Sequence, residues 1–87
     1  MIYLTHSPKF KKRFNQLSDK LKDKVTERLN IFVKNEYHDI LNNHPLHGEY
    51  FGCRSINITG DIRVVYRKVE KDNCRLLTLG THSQLYE

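Results

Sequence analysis

The chain carries five histidines in 87 residues, and two of them stand in short segments that bracket a pair of extended runs. His44 opens His44-Pro45-Leu46-His47-Gly48, and His82 follows Gly80-Thr81 near Tyr86. Between them an alternating run holds Arg63 and Arg67, just after the turn residue Asp61. Imidazole, guanidinium and phenol together are what metal-free cleavage of a phosphodiester needs. A base removes the 2′-hydroxyl proton, a cation stabilises the phosphorane, and an acid protonates the leaving 5′-oxygen. Histidine titrates in the right range for both proton transfers. Arginine presents a planar fork to adjacent phosphate oxygens.

The candidates differ in how the sequence restrains them. His82 comes at the end of an extended run and precedes no obvious new element. His44 is restrained by the proline beside it, whereas His47 shares the loop with less restraint. Arg63 lies mid-strand on a face that packing does not require, and the pleat puts Arg67, Ser55 and Asn57 on the same side as substrate contacts. Asp61 serves a turn equally well as a site. Tyr86 is placed to stack on a base or to anchor the C-terminal segment. The spacing of His38, His44 and His47 matches no metal motif, and Cys53 and Cys74 show no paired spacing, so no metal or other cofactor is expected. Both cysteines read as reduced, half-buried strand residues.

The elements that must position these groups follow from periodicity. Residues 1–6 are short, aromatic and β-branched, which suits a strand. Ser7-Pro8 starts a helix over about 8–17, with Phe10, Phe14, Leu17 and Leu21 forming a stripe. Ser18-Asp19 gives a second start, and Leu21, Val25, Leu29 and Phe32 carry a helix over about 19–35, antiparallel to the first. One long bent helix is the alternative. Residues 36–49 lose the period and read as loop. From residue 50 the chain reads as a three-stranded meander, reversing at Thr59-Gly60-Asp61 and again at residues 70–73. The fold class is α+β: two N-terminal helices on one face of a small antiparallel sheet, in one domain spanning 1–87.

The charge is uneven. Residues 1–36 hold nine Lys/Arg against four Asp/Glu, the whole of the formal +5, while residues 37–87 balance at six against six. A basic helical half favours a polyanion such as RNA, or an acidic protein segment; a solvated lysine face is the plain alternative. No signal-peptide pattern, transmembrane run or lipidation motif is visible, so a cytoplasmic location without membrane contact is expected. Nucleotide-binding glycine patterns and the hydrolase elbow are missing from the sequence.

Three motifs in order, HPLHG, GCRSINITGDIRVVY and GTHSQLY, together with the strand, basic helices and meander, resemble toxins of bacterial type II toxin–antitoxin modules. The resemblance is to the RelE/ParE superfamily and is nearest in motif to its YafQ branch of ribosome-dependent mRNA interferases. It covers essentially the whole chain. It implies a RelE-like fold and a metal-independent endoribonuclease acting on mRNA in the ribosomal A site, with 2′,3′-cyclic phosphate and 5′-hydroxyl products. It also implies a cognate antitoxin as partner. By this resemblance the loop histidine falls on His44, the strand-end histidine on His82, the acid on Asp61 and the terminal aromatic on Tyr86. Arg63 resembles the arginine of RelE-type toxins. Asn57 stands where the branch carries a histidine, and it can orient a substrate but not exchange a proton. Two other readings stay open: a ParE-like gyrase inhibitor, and a weakened toxin that mainly binds its antitoxin.

Overall fold

The computed structural model describes residues 1–86. Strand β1 (Tyr3–His6) leads into helices α1 (Pro8–Asn15) and α2 (Asp19–Lys34). Strands β2 (His44–Pro45), β3 (Arg54–Asn57), β4 (Ile62–Glu70) and β5 (Asn73–Thr81) follow, and helix α3 (His82–Tyr86) ends the described chain. Among the described residues, no helix is long and apolar enough to cross a membrane.

Serines set both helix starts, as the sequence predicts. The Ser7 hydroxyl accepts from Phe10 N–H at 3.0 Å, with Pro8 in the first turn, and Ser18 accepts from Leu21 N–H at 3.3 Å. Residues 16–18 therefore separate two helices rather than bend one.

The sheet has the order β1-β5-β4-β3-β2 and is mixed. The meander β3-β4-β5 is antiparallel, but β1 runs parallel to β5, with Tyr3 opposite Asn73 and His6 opposite Leu76. This corrects the expected all-antiparallel sheet. Short turns dictate direction within the meander, whereas alternation in β1 marks a strand without giving its direction or partner. The second correction lies in residues 36–49. Two 3₁₀ turns flank a short fifth strand there, and β2 places His44 opposite Ser55. Its two residues are too few to show a period.

Past His6 the edge of β5 is covered by α1. Ser7 N–H donates to Leu76 C=O, and Arg13 Nη1 donates to Leu79 C=O at 3.2 Å. The main core lies between the helices and the sheet, where Phe10, Val25 and Phe32 meet Ile56, Val64, Tyr66 and Leu76. Phe32 meets the fully buried Tyr66 edge-on, with 4.7 Å between centroids.

Two buried acids make the fold sensitive to alkali. Burial, then the Glu36 carboxylate, pushes the Cys74 thiol up to about 11 from 9.0, with Lys68 opposing. Tyr66 is raised well above its ordinary value by burial and by its bond to Glu36. Both raised groups hold their protons more tightly when folded. Their stabilisation is thus fully present below the unfolded values and lost as pH climbs from 9.0 through about 11 and beyond. Denaturant midpoints measured across this range are expected to fall. The Cys74→Ala variant, weaker at neutral pH, should show a shallower fall between pH 9 and 11.

Candidate functional site

The face of the sheet turned away from α1 and α2 carries the candidate residues. Pairing places them in rows. Asn57, Arg63 and Gly80 are consecutive Cα partners across β3, β4 and β5. One pleat step along, His44, Ser55, Val65 and Thr78 form the next row. Beyond it, Arg67 stands opposite Arg75. Register skips Leu77, so β5 bulges there, and Leu77 joins Val65 on this face.

The middle row is not open, contrary to expectation. A small second core of Leu46, Cys53, Val65 and Leu85, flanked by Tyr50, covers it. Ser55 is 0% exposed beneath this layer, which removes it from the set of substrate contacts. The cover is α3. Thr81 and Gln84 bracket its start reciprocally: Thr81 N–H donates to Gln84 Oε1 at 2.8 Å, and Gln84 N–H donates to Thr81 Oγ1 at 3.2 Å. This capping box, T-x-x-Q, is the signal in the sequence that marks the helix. Leu85 then anchors it, at 4% exposure. Gln84→Ala, which leaves the Thr81 amide without its side-chain acceptor, is expected to cost about 0.5–2 kcal/mol in urea unfolding. Hydrogen exchange should quicken in residues 81–86 before the rest of the chain.

Helix α3 brings His82 and Tyr86 together, with ring centroids 4.7 Å apart, and Tyr50 meets Tyr86 edge-on at 6.0 Å. The Tyr86 hydroxyl is raised above its ordinary value, by burial first and the neighbouring Tyr50 second. Arg63 acts in the opposite direction, so guanidinium and phenol share one locality. Tyr86 thus stays a neutral hydrogen-bond donor at physiological pH. The Nη1 of Arg63 donates to Thr59 C=O and Gly60 C=O, both at 3.0 Å. Among the described residues its Nε and Nη2 have no partner, which leaves a two-donor edge for an oxyanion.

His44 lies across the sheet from His82. Its Nδ1 is 2.8 Å from Asn42 C=O. A carbonyl only accepts, so Nδ1 carries the proton, and the neutral ring keeps its lone pair on Nε2. The residue before it is clamped. Asn43 Nδ2 donates to Tyr66 Oη at 2.7 Å and to Glu36 C=O at 3.0 Å, and Arg54 Nε donates to Asn43 Oδ1 at 2.7 Å. Tyr66 Oη in turn donates to Glu36 at 2.6 Å, and Lys68 pairs with the same carboxylate at 3.0 Å. Arg54 sits 5.3 Å over the Tyr37 ring. This network fixes the strand that presents His44, and sequence reading missed it because its members are scattered over residues 36–68.

The remaining candidates are placed less centrally. Asp61 is exposed at the β3–β4 turn, where its amide bonds Thr59 Oγ1. Arg67 is exposed two pleat steps from Arg63 and forms a separate basic pair with Arg75, which the sequence reading did not single out. His38 accepts from Ile40 N–H as a cap, and His6 packs on Phe10. Among the described residues no group of three or more His, Cys, Asp or Glu could hold a metal, and both cysteines are free and buried. A 460 Å³ groove lined by His6, Phe10, Phe14 and Leu29 lies on the helical side and holds none of the site.

Residues 3–87 match the family described as bacterial toxin of type II toxin–antitoxin system, YafQ. The chain belongs to the YafQ toxin family. The fold agrees with solved members. YafQ from E. coli superposes with a TM-score of 0.80 at 21% identity over 100% of both chains. A copper-bound mutant toxin from Helicobacter pylori gives 0.70 at 30% identity, covering 99% of this chain and 100% of that one. YafQ in the E. coli DinJ–YafQ complex gives 0.77 at 20% identity over 100% of both. No curated protein sequence matches the chain.

Proposed function

We propose that this YafQ-family toxin is a ribosome-dependent mRNA endoribonuclease that cleaves by attack of the 2′-hydroxyl on the adjacent phosphate. The observation that carries this reading is the guanidinium edge of Arg63, without a partner among the described residues, on the strand row between the two histidine-bearing edges. His44 on β2 and His82 just past β5 flank Arg63 from the two sides, with three strand spacings of about 4.8 Å between their strands. Side chains reaching inward from both sides suit a phosphodiester held between them.

In this reading His44, with its lone pair on Nε2, takes the 2′-hydroxyl proton. Arg63 holds the phosphorane oxygens, and His82 returns a proton to the leaving 5′-oxygen. Bond formation and cleavage balance to a 2′,3′-cyclic phosphate and a 5′-hydroxyl. Tyr86 donates to the phosphate or stacks on a base, Asn57 orients the ribose, and Asp61 sits at the turn beside Arg63. Arg67 and Arg75 extend the positive face for flanking phosphates. The ribosome would place the A-site message in line on so small a scaffold. The partner in the free state is a cognate antitoxin, as in the DinJ–YafQ complex of E. coli, and the basic helices suit an acidic segment of it. Action on ribosomes puts the toxin in the cytoplasm.

Primer extension on translated mRNA after induction tests the reading, with gyrase supercoiling assayed in parallel. New 5′ ends within codons are expected. Intact message with inhibited supercoiling would move the function to the gyrase class.

A further inference from the structure

Gly80 is buried near the end of β5, opposite Arg63 and two residues before His82. Nothing in its backbone calls for glycine. It lies within the strand, and its φ is not positive, unlike that of Gly48 and Gly52. Glycine weakens a strand and offers no side chain to pack, so one at such a place marks a close approach by another group. Here two groups approach. A Cβ at Gly80 would stand 2.7 Å from Arg13 Nη1, 2.7 Å from Gln84 Oε1 and 3.2 Å from Gln84 Cβ.

Both of the nearest atoms are engaged. Arg13 Nη1 donates to Leu79 C=O at 3.2 Å, which ties α1 to β5. Gln84 Oε1 accepts from Thr81 N–H at 2.8 Å, which ties the start of α3 to the same strand. Flexible ends can swing away from a Cβ, but only by giving up these two bonds. Gln84 Cβ is fixed to the α3 backbone and has no such freedom, so the helix itself has to give by a few tenths of an ångström. A hollow of about 110 Å³ beside Gln16 and Leu17 has room for the displaced ends, so crowding here shifts α3 and spares the main core. His82 and Tyr86 both ride on that helix, with ring centroids 4.7 Å apart.

We propose that Gly80 is a positioning residue for cleavage: its missing side chain lets Arg13 and Gln84 close over the end of β5, which sets α3 and holds His82 against the Arg63 row. The proposal rests on the reading of this toxin as an mRNA nuclease. Cleavage of an A-site-programmed mRNA is followed over a range of ribosome concentrations with the full chain. Gly80→Ala is expected to lower kcat about tenfold and to leave KM within about twofold, because a misplaced proton donor is missed only in the transition state. In the His82→Ala background the same change should add less than about twofold, since the group it positions is gone. A general loss of fold would lower the rate alike in both backgrounds. Gln84→Ala breaks the same bracket without crowding the strand and should give the same split between kcat and KM. Gln84→Glu, which keeps an acceptor for the Thr81 amide, should recover most of that loss. Parental kcat in Gly80→Ala, or an equal loss in the His82→Ala background, would overturn the proposal while leaving the cleavage reading intact. A parent chain that cuts no message would remove the cleavage reading and the part of Gly80 in it together.

Discussion

Replacing His82 with alanine is expected to slow cleavage of a ribosome-bound message by about 10²–10⁴-fold, the usual contribution of a positioned proton donor. The imidazole is exposed at the first residue of α3, where it meets the Tyr86 ring. The helix is held by the Thr81–Gln84 bracket and by Leu85, none of which the substitution touches. Thermal unfolding should therefore stay within about 0.5 kcal/mol of the parent, which separates lost chemistry from lost fold. His82→Gln makes the sharper comparison. It keeps a hydrogen-bonding side chain and removes proton transfer near neutral pH, so its rate should stay close to that of the alanine variant. Single-turnover cleavage of an A-site-programmed mRNA reads both.

Loss of Arg63 should be comparably severe. Arg63→Ala is expected to reduce the cleavage rate by about 10²–10³-fold, with substrate affinity changed much less, because its free edge serves charge that develops only in the transition state. Arg63→Lys should recover little of this. A lysine is a point charge without the two-donor fork, and it cannot donate to the phosphorane while also bracing Thr59 and Gly60. A variant with raised KM and unchanged kcat would assign Arg63 to ground-state binding instead.

Much of this arrangement was legible in the residues. Serine caps and the apolar stripes mark α1 and α2, and Thr59-Gly60-Asp61 marks the reversal that puts Arg63 on its strand. Pleat parity places Asn57, Arg63 and Arg67 on one face, as the pairing bears out. The rest depends on long-range contacts that no local pattern encodes. The parallel pairing of β1 joins Tyr3 to Asn73 across the whole chain. The strand at His44 is too short for a period, and its rigidity comes from Asn43, Glu36, Arg54 and Tyr66 meeting in space. The burial of Ser55 follows from the segment 46–53 and α3 folding over the sheet. Its T-x-x-Q bracket was readable in the sequence, but five residues carry too few apolar positions to display a helical stripe.

In the proposed mechanism the 2′-hydroxyl is the nucleophile, and the protein supplies proton transfer and charge. The most direct measurement uses ribosomes programmed with mRNA carrying a single 2′-deoxy nucleotide at the mapped cleavage position. The message should remain intact at that bond, while the all-ribose message is cut to fragments ending in a 2′,3′-cyclic phosphate. Cutting of the deoxy-substituted bond at a comparable rate would contradict the mechanism.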